Sequence, residues 1–142
     1  MKKKIYSILL VGILSLTGTI ADANGCSNTY KKCKSPDKSY TLSTSSRSIK
    51  MRRGRKVAIM LNVFGGKEYF FSTYSKPKMG VLQFKIISPI NNKILYDNSA
   101  EGLCDTKVFK VDNTQKLLIE ISAPNWQSSN TYECAGFKIA YK

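Results

Sequence analysis

The chain has no histidine among its 142 residues. That absence excludes the Ser-His and Cys-His arrangements of nucleophilic catalysis and every metal site built on imidazole. Acid is also scarce, with nine Asp and Glu against 23 Lys and Arg. There is one Trp, and no stretch of useful length has helical periodicity. A long apolar run occurs only once, from Ile5 to Ile20, and it is diluted by Ser15, Thr17, Gly18 and Thr19.

That run has the marks of an export signal. Lys2, Lys3 and Lys4 precede it, and Ala21-Asp22-Ala23 supplies the small-x-small pattern of a cleavage site. It is shorter than the roughly 20 apolar residues that span a bilayer. Residues 1–23 are therefore expected to be a cleaved signal peptide, which leaves no transmembrane span in the mature chain and places the protein in the periplasm or outside the cell. Lipidation at Cys26 is the lesser alternative: the apolar core ends at Ile20, so the branched residue of a lipobox is missing. Removing Lys2, Lys3, Lys4 and Asp22 leaves 20 basic and 8 acidic residues, a net charge of +12. Such a field attracts anions and repels cationic partners. It disfavours a basic target such as lysozyme.

All four cysteines, Cys26, Cys33, Cys104 and Cys134, follow the signal. An even count in an exported chain points to two disulfides. Three pairings are open and spacing does not decide among them. Cys26–Cys33 with Cys104–Cys134 is the favoured one, since the first would close a short loop and the second would join a loop to the last strand. No C-x-x-C pair is present, which argues against zinc.

After a polar arm at 24–46, with an early strand at 39–43, short apolar runs alternate with turn residues. Strands are expected at Val57–Phe64, Lys67–Tyr74, Val81–Ser88, Lys93–Tyr96, Lys107–Val111, Lys116–Ser122 and Glu133–Tyr141. Gly65-Gly66 suits a tight hairpin, because both residues can take positive φ. Alternation is clear at Leu82, Phe84 and Ile86, and again at Leu117, Ile119 and Ile121. The fold class is all-β: an antiparallel, jelly-roll-like β-sandwich of about seven or eight short strands over residues 47–142.

The segments Gly66-Lys67-Glu68-Tyr69-Phe70-Phe71, Gly80-Val81-Leu82-Gln83-Phe84-Lys85-Ile86, Leu95-Tyr96-Asp97-Asn98-Ser99, Leu117–Ser122 and Gly136–Tyr141 together resemble the bacterial pre-peptidase C-terminal β-sandwich domain. The resemblance implies a jelly-roll-like module of the kind found beside exported enzymes, where it aids export, folding or substrate attachment. This chain departs from the pattern: no enzyme domain precedes the stretch, and neither the cysteines nor the Arg/Lys run belong to it.

Four groups of residues carry candidate chemistry. The eight mature acids sit mostly in turns or on outward strand positions with no close pair, so no enzyme and no cofactor are expected. Arg47, Lys50, Arg52, Arg53, Arg55 and Lys56 put six cations in ten residues, enough to engage several phosphates or sulfates. Export counts against nucleic acid as the natural ligand, which leaves an anionic envelope polysaccharide, or another envelope polyanion, as the expected partner. The bland reading is a solvated loop or a charge-guarded edge strand. Tyr74 and Trp126 are candidate stacking rings for a sugar, against the alternative that Trp126 lids the sandwich. Asp97, Ser99, Glu101 and Asp105 are spaced as in a calcium loop, with Gly102 at the sixth position, but the twelfth is Val108 where a bidentate Glu is required. The expected function is an exported, non-catalytic binding or accessory module. The alternative is a protein-protein interaction module, an inhibitor or an assembly subunit.

Overall fold

The computed structural model describes residues 25–142. The expected signal peptide lies outside them. Among the described residues, nine strands form two antiparallel sheets: β1 (Thr41–Leu42), β2 (Arg47–Arg52), β3 (Val57–Val63), β4 (Lys67–Ser75), β5 (Gln83–Ser88), β6 (Lys93–Asp97), β7 (Thr106–Val111), β8 (Gln115–Ser122) and β9 (Tyr132–Tyr141). Sheet A runs β1-β9-β4-β7, with β2 in line with β1 along the same side of β9. Sheet B runs β3-β8-β5-β6. Among the described residues, no helix is long and apolar enough to cross a membrane.

The alternation read from the sequence becomes the two inner faces. Ile59, Leu61 and Val63 of β3, Leu117, Ile119 and Ile121 of β8, and Phe84 and Ile86 of β5 pack against Phe71, Phe137 and Ile139 of sheet A. Each fully buried side chain of this size contributes roughly 1.5–3 kcal/mol.

The Gly65-Gly66 hairpin is a correction. β3 pairs with β8 and β4 pairs with β7 and β9, so the glycines carry the chain from sheet B to sheet A. Gly66 has φ +80°, and a Cβ on Gly65 would sit 2.7 Å from the Asp112 carbonyl oxygen. Both glycines are needed, but for a crossover between layers.

The polar arm is not loose; it forms a third layer on the outer face of sheet A. A 3₁₀ turn at Thr29–Lys32 lies directly over β9. A Cβ on Gly136 would meet Tyr30 Cα at 2.7 Å and Thr29 O at 2.8 Å. Lys138, buried beneath the arm, donates to Cys33 O at 2.9 Å and Ser35 Oγ at 2.8 Å.

The favoured cysteine pairing is also corrected. The bond joins Cys26 to Cys134, with Cα atoms 5.3 Å apart and 108 residues between them in sequence. Cys33 is a buried thiol above β9, and burial pushes its pKa up to about 11. Cys104 is an exposed thiol. The arm lies along β9, so Cys26 meets the outward-facing Cys134 rather than its near neighbour in sequence.

Candidate functional site

The ten-residue basic run does not stay together. β2 carries Arg47 through Arg52, and a strand advances about 3.3 Å per residue, so Arg47 ends roughly 16 Å from Arg52. Lys50 lies on the outer face of sheet A with its Nζ 4.9 Å from the Tyr132 ring centre. After Arg52 the chain turns and crosses to sheet B, where Lys56 pairs with Glu120 at 3.0 Å. Arg52, Arg53 and Arg55 remain at the turn, all exposed.

Two further cations join them there. The 3₁₀ turn Pro77–Met79 is flanked and crossed by Lys76 and Lys78. Met79 anchors it in the core, and the Lys78 carbonyl accepts the Gln127 N–H at 2.9 Å. Arg53 reaches the same loop from the other side. Its Nη2 donates to Ser129 O at 3.0 Å and to Asn130 O at 3.2 Å. One pole of the sandwich thus gathers Arg52, Arg53, Arg55, Lys76 and Lys78 around the 123–131 loop. Lys76 and Lys78 were not singled out in the sequence, since residues 57–75 separate them from the run. Their signal was the Lys-Pro-Lys triplet in a predicted loop.

Glu133 braces this pole from beneath. It is buried, and it accepts from Ser128 Oγ at 2.6 Å and Asn130 Nδ2 at 2.9 Å, with Lys76 Nζ at 3.8 Å. The Ser128 and Asn130 hydrogen bonds hold its carboxyl below the usual carboxylate range. A groove of about 360 Å³ runs over it, lined by Lys76, Pro77, Lys78, Asn130 and Glu133. Arg52, Arg53, Arg55 and Lys78 make no ion pair among the described residues.

The depressed pKa has a consequence with a definite sign. Glu133 stabilises the fold fully above its unfolded pKa, and that contribution is lost as pH falls through the lower folded value. Glu133→Gln should cost about 1–3 kcal/mol at pH 7, where it weakens the bonds to Ser128 and Asn130. The difference from wild type should shrink as the pH is lowered to about 3. Urea unfolding at a series of pH values measures this, and a difference independent of pH would contradict it.

The candidate stacking rings are differently placed. Trp126 is half-buried against the core and its Nε1 donates to Ser128 O at 3.1 Å, so it lids the end of the sandwich. Tyr74 is half-buried on the outer face of sheet A, with Lys32 Nζ 5.6 Å from its ring centre. Trp126 therefore sits in the same loop that holds Arg53, half-buried, whereas Tyr74 packs on the outer face of sheet A.

The oxygens of the 97–105 segment diverge. Asp97 caps the 3₁₀ turn Asn98–Glu101 through the Ser99 N–H. Glu101 takes the Tyr96 hydroxyl and Lys107, and Asp105 takes Lys34 at 2.9 Å. Among the described residues no group of three or more His, Cys, Asp or Glu is placed to hold a metal ion.

Neither a protein-family model nor a curated protein matches the chain. One solved structure that resembles it is Aeromonas hydrophila PliG, a periplasmic lysozyme inhibitor of g-type lysozyme. That protein is 11% identical with a TM-score of 0.46, over 77% of this chain and 91% of its own. The inhibitor's target is a property of that protein.

Proposed function

We propose that this chain is an exported, non-catalytic binding module that docks an acidic partner protein through its cationic pole. The observation that carries the proposal is the frame around Arg53. Two loop carbonyls fix its guanidinium, Arg52 and Arg55 stand beside it with no ion pair among the described residues, and Lys78 borders the groove over Glu133. Cations pre-set on a rigid frame lose less side-chain freedom on binding than free surface lysines do. The Cys26–Cys134 bond suits an oxidising compartment and agrees with the export signal.

A protein partner is preferred over a polysaccharide because Trp126 is folded into the sandwich and Tyr74 lies elsewhere. The pole therefore offers several cations and a single half-buried ring. The second reading, an anionic envelope polysaccharide, is favoured by the same unpaired cations.

The test compares two triple variants of equal charge change. Arg52→Glu, Arg55→Glu and Lys78→Glu alter the pole, whereas Lys93→Glu, Lys110→Glu and Lys116→Glu alter exposed positions elsewhere. Titration with a deca-glutamate peptide and with a heparin oligosaccharide should weaken at least about tenfold for the pole variant and far less for the control, since rim charges act locally. Equal losses would mean that only net charge matters. A partner protein retained by the wild type and not by the pole variant at about 0.15 M salt, where the screening length is about 8 Å, supports the protein reading. Retention on a cell-wall fraction alone supports the polysaccharide.

A further inference from the structure

Exposed sheet edges invite pairing, and folded proteins guard them with charge, proline, bulges or shortness. Most edges here are guarded. β1 has two residues, β2 carries Arg47, Lys50 and Arg52, and β7 carries Lys107 and Lys110. β6 begins at Lys93, and its register with β5 shifts between Ile86 and Ile87. β3 differs. Val57–Val63 reads VAIMLNV, seven residues with no charge and no proline, paired in unbroken register to β8 on one side only.

The outer face beside that edge is apolar in one row. Met60 stands opposite Leu118, Leu118 opposite Ile87, and Ile87 opposite Ile94. Met60 is 52% exposed and Ile94 51%. The neighbouring row is charge-balanced: Lys56 and Lys85 face Glu120 and Asp97 within 4.0 Å. On a chain with so large a positive excess, this is a face that a like-charged molecule can approach.

We propose that β3 is a pairing edge and that its partner is β3 of a second copy of this chain. Antiparallel pairing about Met60 is self-complementary, because position 60 falls opposite itself and 59 opposite 61. The uncharged strands then meet only each other. Lys56 of each copy falls opposite Phe64 of the other, a 59% exposed ring, so a cation meets a π face and no like charges face one another. The two sheets B become one sheet of eight strands, and the apolar row runs through the two-fold axis without a break.

This proposal stands apart from the cationic pole, and salt separates the two. Binding at the pole weakens as salt rises. The β3 pair strengthens, because the two copies repel each other through their excess charge. Light scattering of the mature domain should show a dimer whose dissociation constant falls as salt is raised from about 0.05 to about 0.5 M. Met60→Lys places two lysines directly opposite each other at the axis, with Cβ atoms about 5 Å apart, and should raise that constant at least tenfold. Ile90→Lys adds the same charge at a 90% exposed turn and should leave the dimer intact. Circular dichroism confirms that both variants are folded. A wild-type protein that stays monomeric up to about 1 mM would overturn the proposal. So would a dimer that survives Met60→Lys, or one lost equally in Ile90→Lys.

Discussion

Removing the Cys26–Cys134 bond, by the double change Cys26→Ser and Cys134→Ser, is expected to lower stability by about 2–5 kcal/mol. The upper end applies if the chain-entropy account holds, since the bond spans 108 residues and a closed loop of about 100 residues is worth roughly 4.7 kcal/mol. The native-state effect has the same sign. The bond holds the arm down on β9, where Tyr30 and Cys33 crowd Gly136 and where Lys138 finds its two oxygen partners. If the arm lifts, Lys138 loses both partners and regains water. Paired substitution avoids a lone thiol. Urea unfolding of the variant against the wild type measures the loss. A loss under about 1 kcal/mol would show that the third layer contributes little.

Asn98→Leu should cost at least as much, about 3–5 kcal/mol. The Asn98 side chain is fully buried between β5 and the 103–105 segment. Its Oδ1 accepts the Phe84 N–H at 2.9 Å, and its Nδ2 donates to Leu82 O and Cys104 O, both at 3.0 Å. Leucine has similar bulk and no polar atoms, so three backbone groups lose their partner, the Phe84 N–H and Leu82 O in a buried setting and Cys104 O in a part-buried one. Each such group costs roughly 1–3 kcal/mol. Asn98→Asp keeps the acceptor, loses the donors and buries a charge, so it should also destabilise, with the loss easing at acid pH where the carboxyl is protonated. Guanidinium unfolding of both variants checks this. A loss below about 1 kcal/mol for Asn98→Leu would mean that water replaces the side chain, and the buried network would then carry little of the fold.

Inner faces were legible in the sequence and partners were not. Alternation at Leu82-Phe84-Ile86, Leu117-Ile119-Ile121 and Phe137-Ile139 states which side of a strand is buried, and the sandwich buries those sides. It is silent on which strand lies alongside, so Gly65-Gly66 reads equally well as a hairpin or as a crossover. The third layer had a signal that is easily passed over. The outward positions of β9 are Tyr132, Cys134, Gly136, Lys138 and Ala140, and Gly136 and Ala140 are too small for a solvated strand face. Small outward residues mark a surface that something covers.

The cationic pole was half legible. The Arg/Lys run was visible, but its division followed from geometry. Side chains alternate along β2, so Lys50 and Arg52 take the outer face, and the turn then delivers Lys56 to Glu120 on the other sheet. Lys76 and Lys78 enter only because Met79 is pinned in the core and the Gln127 N–H is bound to the Lys78 carbonyl. Contacts between segments far apart in sequence leave no local periodicity to read.

The cationic pole as a docking surface is tested most directly by amide shift mapping. A ¹⁵N-labelled domain of residues 24–142 is titrated with the deca-glutamate peptide at moderate salt. Shifts confined to 52–56, 76–80 and 127–133 are predicted, fading in the Arg52→Glu, Arg55→Glu, Lys78→Glu variant. Shifts concentrated instead on the lysines of the arm, at 31–38, or spread evenly over every exposed cation, would contradict the account.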